Sequence, residues 1–248
     1  MNKKIIVTGA SSGIGKKTAQ MLMDERYKVI LTARNKENLI ETIKDYPSES
    51  YEIIPWDLSD VDSLTQYAKE VNEKAGSISG LVHCAGIQIT VPLYLINKKR
   101  LIDIFNINTF AAINLVGLFS KRKYYIEGET SFVLLSSIAA HEGEVGNSIY
   151  AASKGALEGF LTSAAAELVS KGIRLNIIVP GMIETNMNEE FFKYLTEEQK
   201  ERFKQNYPLG YGQSEDIANM IIYLISKKSK WITGQKFIID GGHLSRKV

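Results

Sequence analysis

Short runs of β-branched and aliphatic residues alternate along this chain with longer stretches of helical period, and that alternation restricts the folds open to it. KIIVTG is followed by a helix over 13–24, KVILTA by one over 36–45, and YEIIPWD by one over 60–75. GLVHCAG, SFVLLSS and RLNIIVPG read as further strands, with helices over 98–120, 148–170 and 214–226, and KFIID closes the series. Strands this uniformly apolar are buried on both faces, which calls for a parallel sheet with helices on each side. Right-handed crossovers then make the sheet doubly wound. With 248 residues, 44% of them hydrophobic, and no Pro/Gly/Ser-rich linker, one α/β domain over 1–248 is expected.

Charge and cysteine usage narrow the function. The 30 basic and 28 acidic residues leave a formal charge of +2 and form no basic stripe, so nucleic acid is not expected as a partner. A membrane is not expected either, since no run of about 18 apolar residues is present. The lone cysteine, Cys84, cannot make an internal disulfide, and the first apolar run is too short for a signal peptide. A soluble, reducing, cytoplasmic setting is the expectation. No His/Cys/Asp cluster has the spacing of metal ligands. One segment breaks the alternation: residues 186–207, polar and aromatic, lie between a strand and a helix and read as a lid carrying Phe191, Phe192 and Tyr194.

In a doubly wound sheet ligands bind beyond the carboxyl ends of the strands. The first such turn is TGASSGIG, where Gly9, Gly13 and Gly15 allow a tight turn, leave room for a pyrophosphate, and let the helix pack close with its N-terminus toward the anion. A Rossmann-like dinucleotide site is the expectation. A second feature lies in NSIYAASKGALEGF: Tyr150 and Lys154, four apart on a helix, rise from one face, so an ammonium can lie near a phenol. Taken alone, such a pair occurs on many solvated helices.

Eight ordered motifs change its weight: TGASSGIG (8–15), WDLS (56–59), HCAG (83–86), NIN (106–108), SS (136–137), YAASK (150–154), PGMIET (180–185) and IDGG (239–242). Together they resemble the short-chain dehydrogenase/reductase family, most nearly its 3-oxoacyl-acyl-carrier-protein reductases, a group that shades into sugar, polyol and steroid enzymes. The resemblance implies that Tyr150 gives a proton to a substrate carbonyl or takes one from an alcohol. A free tyrosine, with a pKa of about 10, is a poor relay near neutrality. Lys154, together with an oxidised nicotinamide, would lower it, and in the family the lysine also holds the nicotinamide ribose. Ser137, at the family's spacing from the tyrosine, would hydrogen-bond the substrate oxygen; Ser136 is the alternative. Asn108 matches the asparagine that interrupts a long helix and anchors a water beside the lysine. Asp57, with Leu58 next to it, would meet the adenine, unless Asp57 only caps a helix.

Further cofactor contacts are implied for Ser11, Ser12 and Ile14 in the glycine turn, for Ala85 and Gly86, and for Pro180, Gly181, Ile183 and Thr185 around the carboxamide. At the end of the second strand an acidic residue would favour NAD; here stand Ala33 and Arg34, so NADP is expected. Two positions depart from the family. His83 and Cys84 replace an Asn-Asn pair, and Cys84 cannot reproduce an amide's hydrogen bonds; sheet support there is expected to be weaker or arranged differently. Ser12 stands where many NADP-dependent members have a basic residue. The reading is an NADP-dependent carbonyl/alcohol oxidoreductase, of 3-oxoacyl-thioester type or, in the alternative, a sugar or polyol dehydrogenase. A non-catalytic NADP-binding scaffold is the rival from another class. A homotetramer, or a homodimer, is implied through the helices over 98–120 and 148–170 and through the C-terminal strand, and Glu142 hints at a polar substrate.

Overall fold

The computed structural model describes residues 3–185 and 196–246. Seven parallel strands form one sheet: β1 (Lys4–Thr8), β2 (Lys28–Thr32), β3 (Tyr51–Ile53), β4 (Gly80–His83), β5 (Thr130–Leu135), β6 (Ile173–Pro180) and β7 (Lys236–Ile239). Their order is β3-β2-β1-β4-β5-β6-β7, so the topology reverses between β1 and β4. The register runs Ile6 beside Ile30 and Leu81, then Phe132 beside Leu81 and Leu175.

Because strand side chains alternate sides, the continuous apolar runs feed two cores. Ile6, Ile30, Leu81, Phe132 and Ile177 join one core with residues of α3 (Leu64–Ala75), α5 (Ala111–Phe119) and α6 (Ser148–Val169). Ile5, Val29, Val82, Val133 and Ile178 join the other, with α1 (Gly13–Asp24) and α8 (Ser214–Ile225). Each large side chain so buried contributes about 1.5–3 kcal/mol of transfer free energy. On that second side α2 (Lys36–Ile43) follows β2, begun by Asn35, whose side chain accepts from the Asn38 N–H.

Two expectations change in detail. The helix expected over 98–120 is α4 (Lys98–Phe105) and α5 joined by a π-turn at Asn106–Phe110. By length and mean composition this stretch, Lys98–Phe119, could cross a membrane, although Asp103, Asn106, Asn108 and Asn114 interrupt its apolar residues. Its apolar residues Ile104, Ala112, Leu115, Val116 and Phe119 are instead buried in the protein's own cores. The expected lid is described only in its second half, where α7 (Glu197–Lys204) precedes Tyr207; Phe191, Phe192 and Tyr194 lie outside the described residues.

Candidate active site

The turn after β1 is built around glycine geometry. Gly9 has φ +64°, and a Cβ there would lie 2.9 Å from the Ala85 nitrogen; one at Gly15 would lie 2.3 Å from the Gly9 carbonyl oxygen. Only glycines let β1, β4 and α1 approach this closely. Ser12, at the start of α1, is extended and its side chain makes no cap, so the first-turn amides face the cleft without a side-chain acceptor among the described residues. That cradle fits an anionic pyrophosphate.

The cleft encloses about 680 Å³ and is lined by Gly9, Ser11, Ser12, Gly13, Ile14 and Gly15, with Arg34, Asp57, Leu58, Ala85, Gly86 and Thr185. Asp57 is not a helix cap: its Oδ1 accepts from the N–H and the hydroxyl of Ser59, at 3.0 and 2.7 Å. A second cavity opens beside it, sharing Ile14, Gly86 and Thr185, and is lined by Ser137, Tyr150 and Lys154 with Pro180, Gly181 and Ile183. The segment after β6 is fixed by a bridge to Gly212, whose N–H donates to the Met182 carbonyl while the Glu184 N–H donates to the Gly212 carbonyl.

Within the second cavity Ser137 and Tyr150 share one wall, and the Ser137 Oγ accepts from the Ala139 N–H at 3.2 Å. Ser136 is turned elsewhere, toward the Lys154 carbonyl at 3.2 Å and Glu158 at 2.7 Å. The Lys154 ammonium donates to the Leu135 carbonyl at 2.9 Å and sits 6.0 Å from the centre of the Tyr150 ring. Burial pushes Lys154 down to about 8, Cys84 opposing. Burial raises the Tyr150 phenol, the Ser137 hydroxyl lowers it, and the Glu144 carboxylate raises it again.

Asn108 lines neither cavity. It is fully buried in the π-turn, its Oδ1 accepting from the Ile87 N–H at 2.8 Å and its Nδ2 donating to the Ile87 carbonyl and to Ser153 Oγ. The loop after Gly86 is thereby tied to α6 beside Lys154.

The replacement of Asn-Asn by His83-Cys84 has a definite structural answer. His83 is buried with Nε2 3.3 Å from the Ile107 carbonyl and Nδ1 3.1 Å from Thr8 Oγ1. A carbonyl only accepts, so Nε2 carries the proton and Nδ1 accepts from Thr8, which in turn accepts from the Ala85 N–H at 3.1 Å. Burial and Lys154 push His83 down to about 3, which keeps it neutral. Sheet support is therefore rearranged, from β1 through β4 to the π-turn. Cys84 lines both cavities, and burial raises its thiol to about 12.

Several lining residues were not singled out in the sequence: Gln88, Glu144, Asn147 and Tyr207. Asn147, just before α6, is buried; its carboxamide oxygen accepts from Gln88 and Thr90, and its nitrogen donates to Glu144. Only its place before the YAASK helix could have pointed to it.

A glycine cradle at the switch point, running into a serine, tyrosine and lysine, is the arrangement of an oxidoreductase working on small molecules with a nicotinamide cofactor. A family model described as Enoyl-(Acyl carrier protein) reductase matches residues 9–243. The 3-oxoacyl-acyl-carrier-protein reductase FabG of Staphylococcus aureus is 34% identical over 247 residues, covering 98% of each chain. The diacetyl reductase of Staphylococcus epidermidis is 30% identical over 259 residues, covering 99% of this chain and all of that one. Among solved structures, a 4-hydroxyisoleucine dehydrogenase complexed with NADH superposes with TM-score 0.90 at 29% identity, covering 99% of this chain and 100% of the other. The chain belongs to the short-chain dehydrogenase/reductase family.

Proposed function

We propose that the protein is an NADP-dependent oxidoreductase that interconverts a ketone and its alcohol, acting in the cell as a reductase. The observation that carries this reading is that Ser137, Tyr150 and Lys154 line one cavity that shares Ile14, Gly86 and Thr185 with the glycine cleft, the Lys154 ammonium 6.0 Å from the Tyr150 ring centre. When bound, the nicotinamide supplies or accepts the hydride. Tyr150 Oη gives its proton to the substrate oxygen, and Ser137 donates a hydrogen bond to that oxygen as charge develops on it. The Lys154 ammonium donates to the nicotinamide ribose hydroxyls. Asn108 acts at one remove, holding the 87–88 loop and α6 in register. Gly9, Gly13, Gly15, Ser11 and Ser12 take the pyrophosphate, Asp57 and Leu58 the adenine, and Pro180, Gly181, Ile183 and Thr185 the carboxamide side. Arg34, on the cleft wall next to uncharged Ala33, takes the 2′-phosphate.

Two substrate classes remain. A 3-oxoacyl thioester is supported by the relatives named as acyl-carrier-protein reductases. A small hydroxylated ketone, the class nearer sugars and polyols, is supported by Glu142 and Glu144 on the cavity wall, and we favour it. A cytoplasmic location, self-association as a tetramer or dimer, and no nucleic-acid or membrane partner complete the reading. The test is oxidation of NADPH or NADH with 3-hydroxybutan-2-one, butan-2-one and acetoacetyl-coenzyme A. Ketone-dependent turnover with NADPH preferred supports the reading; tight NADPH binding with no turnover of any carbonyl supports a non-catalytic scaffold instead.

A further inference from the structure

The C-terminal tail returns to the catalytic cavity at His243. Its Nε2 lies 2.6 Å from Glu142 Oε2 and its Nδ1 2.9 Å from the Asn206 carbonyl oxygen, and its ring stacks on Tyr207 with centroids 4.5 Å apart. Both partners are acceptors, so the ring meets both only with a proton on each nitrogen. Asp240 presets the tail, Oδ1 accepting from the Gly242 N–H and Oδ2 from the Leu244 N–H. The side chains of His243 and Glu142 are only 15% and 19% exposed. One imidazole thus joins the tail, the loop before α6 and the segment after α7.

Glu142 and Tyr207 both line the cavity that holds Tyr150. With Oε2 of Glu142 taken by His243, its Oε1 has no hydrogen-bond partner among the described residues. A half-buried carboxylate so held accepts strongly from a donor and resists burial under an apolar chain. We propose that His243 is a positioning residue that fixes Glu142 as the acceptor for a hydroxyl or ammonium group of the substrate, selecting ketones that carry such a donor close to the carbonyl. This rests on the reading of the cavity as the substrate pocket.

The test compares 3-hydroxybutan-2-one with butan-2-one, which differ by one hydroxyl beside the carbonyl. The wild-type enzyme prefers the hydroxyketone by about tenfold or more in kcat/KM. His243→Ala and Glu142→Gln each bring the ratio below about twofold, mainly through KM for the hydroxyketone, and the double variant lowers it no further. His243→Gln, which keeps one donor, retains an intermediate ratio. NADPH affinity, read by fluorescence, stays unchanged in all of them. A wild-type ratio near one, with both ketones turned over, overturns the inference and leaves the functional reading standing. Equal losses for both ketones in His243→Ala, with NADPH affinity falling too, mark the residue as structural and also overturn it. Failure of the wild type to reduce any carbonyl overturns the functional reading and the inference together.

Discussion

At the scale of single residues, two substitutions separate chemistry from scaffolding. Arg34 lines the cofactor cleft at the end of β2, where a carboxylate would repel a 2′-phosphate. Arg34→Ala is expected to weaken NADPH by about 1.5–3 kcal/mol, the range for hydrogen bonds to charged groups, and to leave NADH nearly untouched. Measured dissociation constants for both cofactors check this; equal losses would remove Arg34 from phosphate recognition. His83 makes a prediction about acid. Its pKa falls from 6.5 to about 3 on folding, so below pH 6.5 the unfolded chain binds a proton that the folded chain does not. The stability from neutral His83 is therefore full above pH 6.5 and is lost as pH falls toward 3, by up to about 1.4 kcal/mol per pH unit. Urea unfolding at pH 7 and pH 5 should show His83→Asn losing about 2 kcal/mol less than wild type over that interval. Parallel losses would mean that His83 is charged in the folded protein.

At the scale of elements, the π-turn at Asn106–Phe110 places Asn108 where both ends of its carboxamide meet the backbone of Ile87. A regular helix would rotate the side chains after the turn by most of a residue step. Asn108→Ala orphans the Ile87 N–H and carbonyl, at about 1–3 kcal/mol for each group left unsatisfied. It should also raise KM for substrate, because Gly86 and Ile87 line the cavity that holds Lys154. Thermal unfolding and steady-state kinetics on one preparation check both; unchanged stability would mean that water replaces the amide without loss. The turn was only partly legible in the sequence. NIN marked the asparagine, but the widening depends on Ile87 and Ser153, which are distant in the chain, and helical period alone cannot register it.

At the scale of the whole molecule, the strands and the doubly wound parallel sheet were legible because the central strands are apolar on both faces, whereas the strand order was read only from the structure. The glycine turn and the 150–154 pair were legible because each is local in sequence. The far wall of the cavity was not: Glu142 meets His243 across 101 residues, and no local spacing encodes that. Self-association belongs to this scale. Leu101, Ile102 and Phe110, on the stretch from α4 into the π-turn, are 39–45% exposed, an apolar face suited to a second copy. If the proposed self-association uses this face, Phe110→Glu lowers the mass read by light scattering; an unchanged mass would mean that this face carries no interface. The claim that Tyr150 is the proton donor of a carbonyl reductase is tested most directly by Tyr150→Phe, with turnover and NADPH affinity measured side by side. Loss of more than about tenfold in kcat/KM, over 1.4 kcal/mol, with NADPH affinity nearly unchanged is the predicted result. A phenylalanine variant that keeps a tenth or more of wild-type kcat/KM would contradict it.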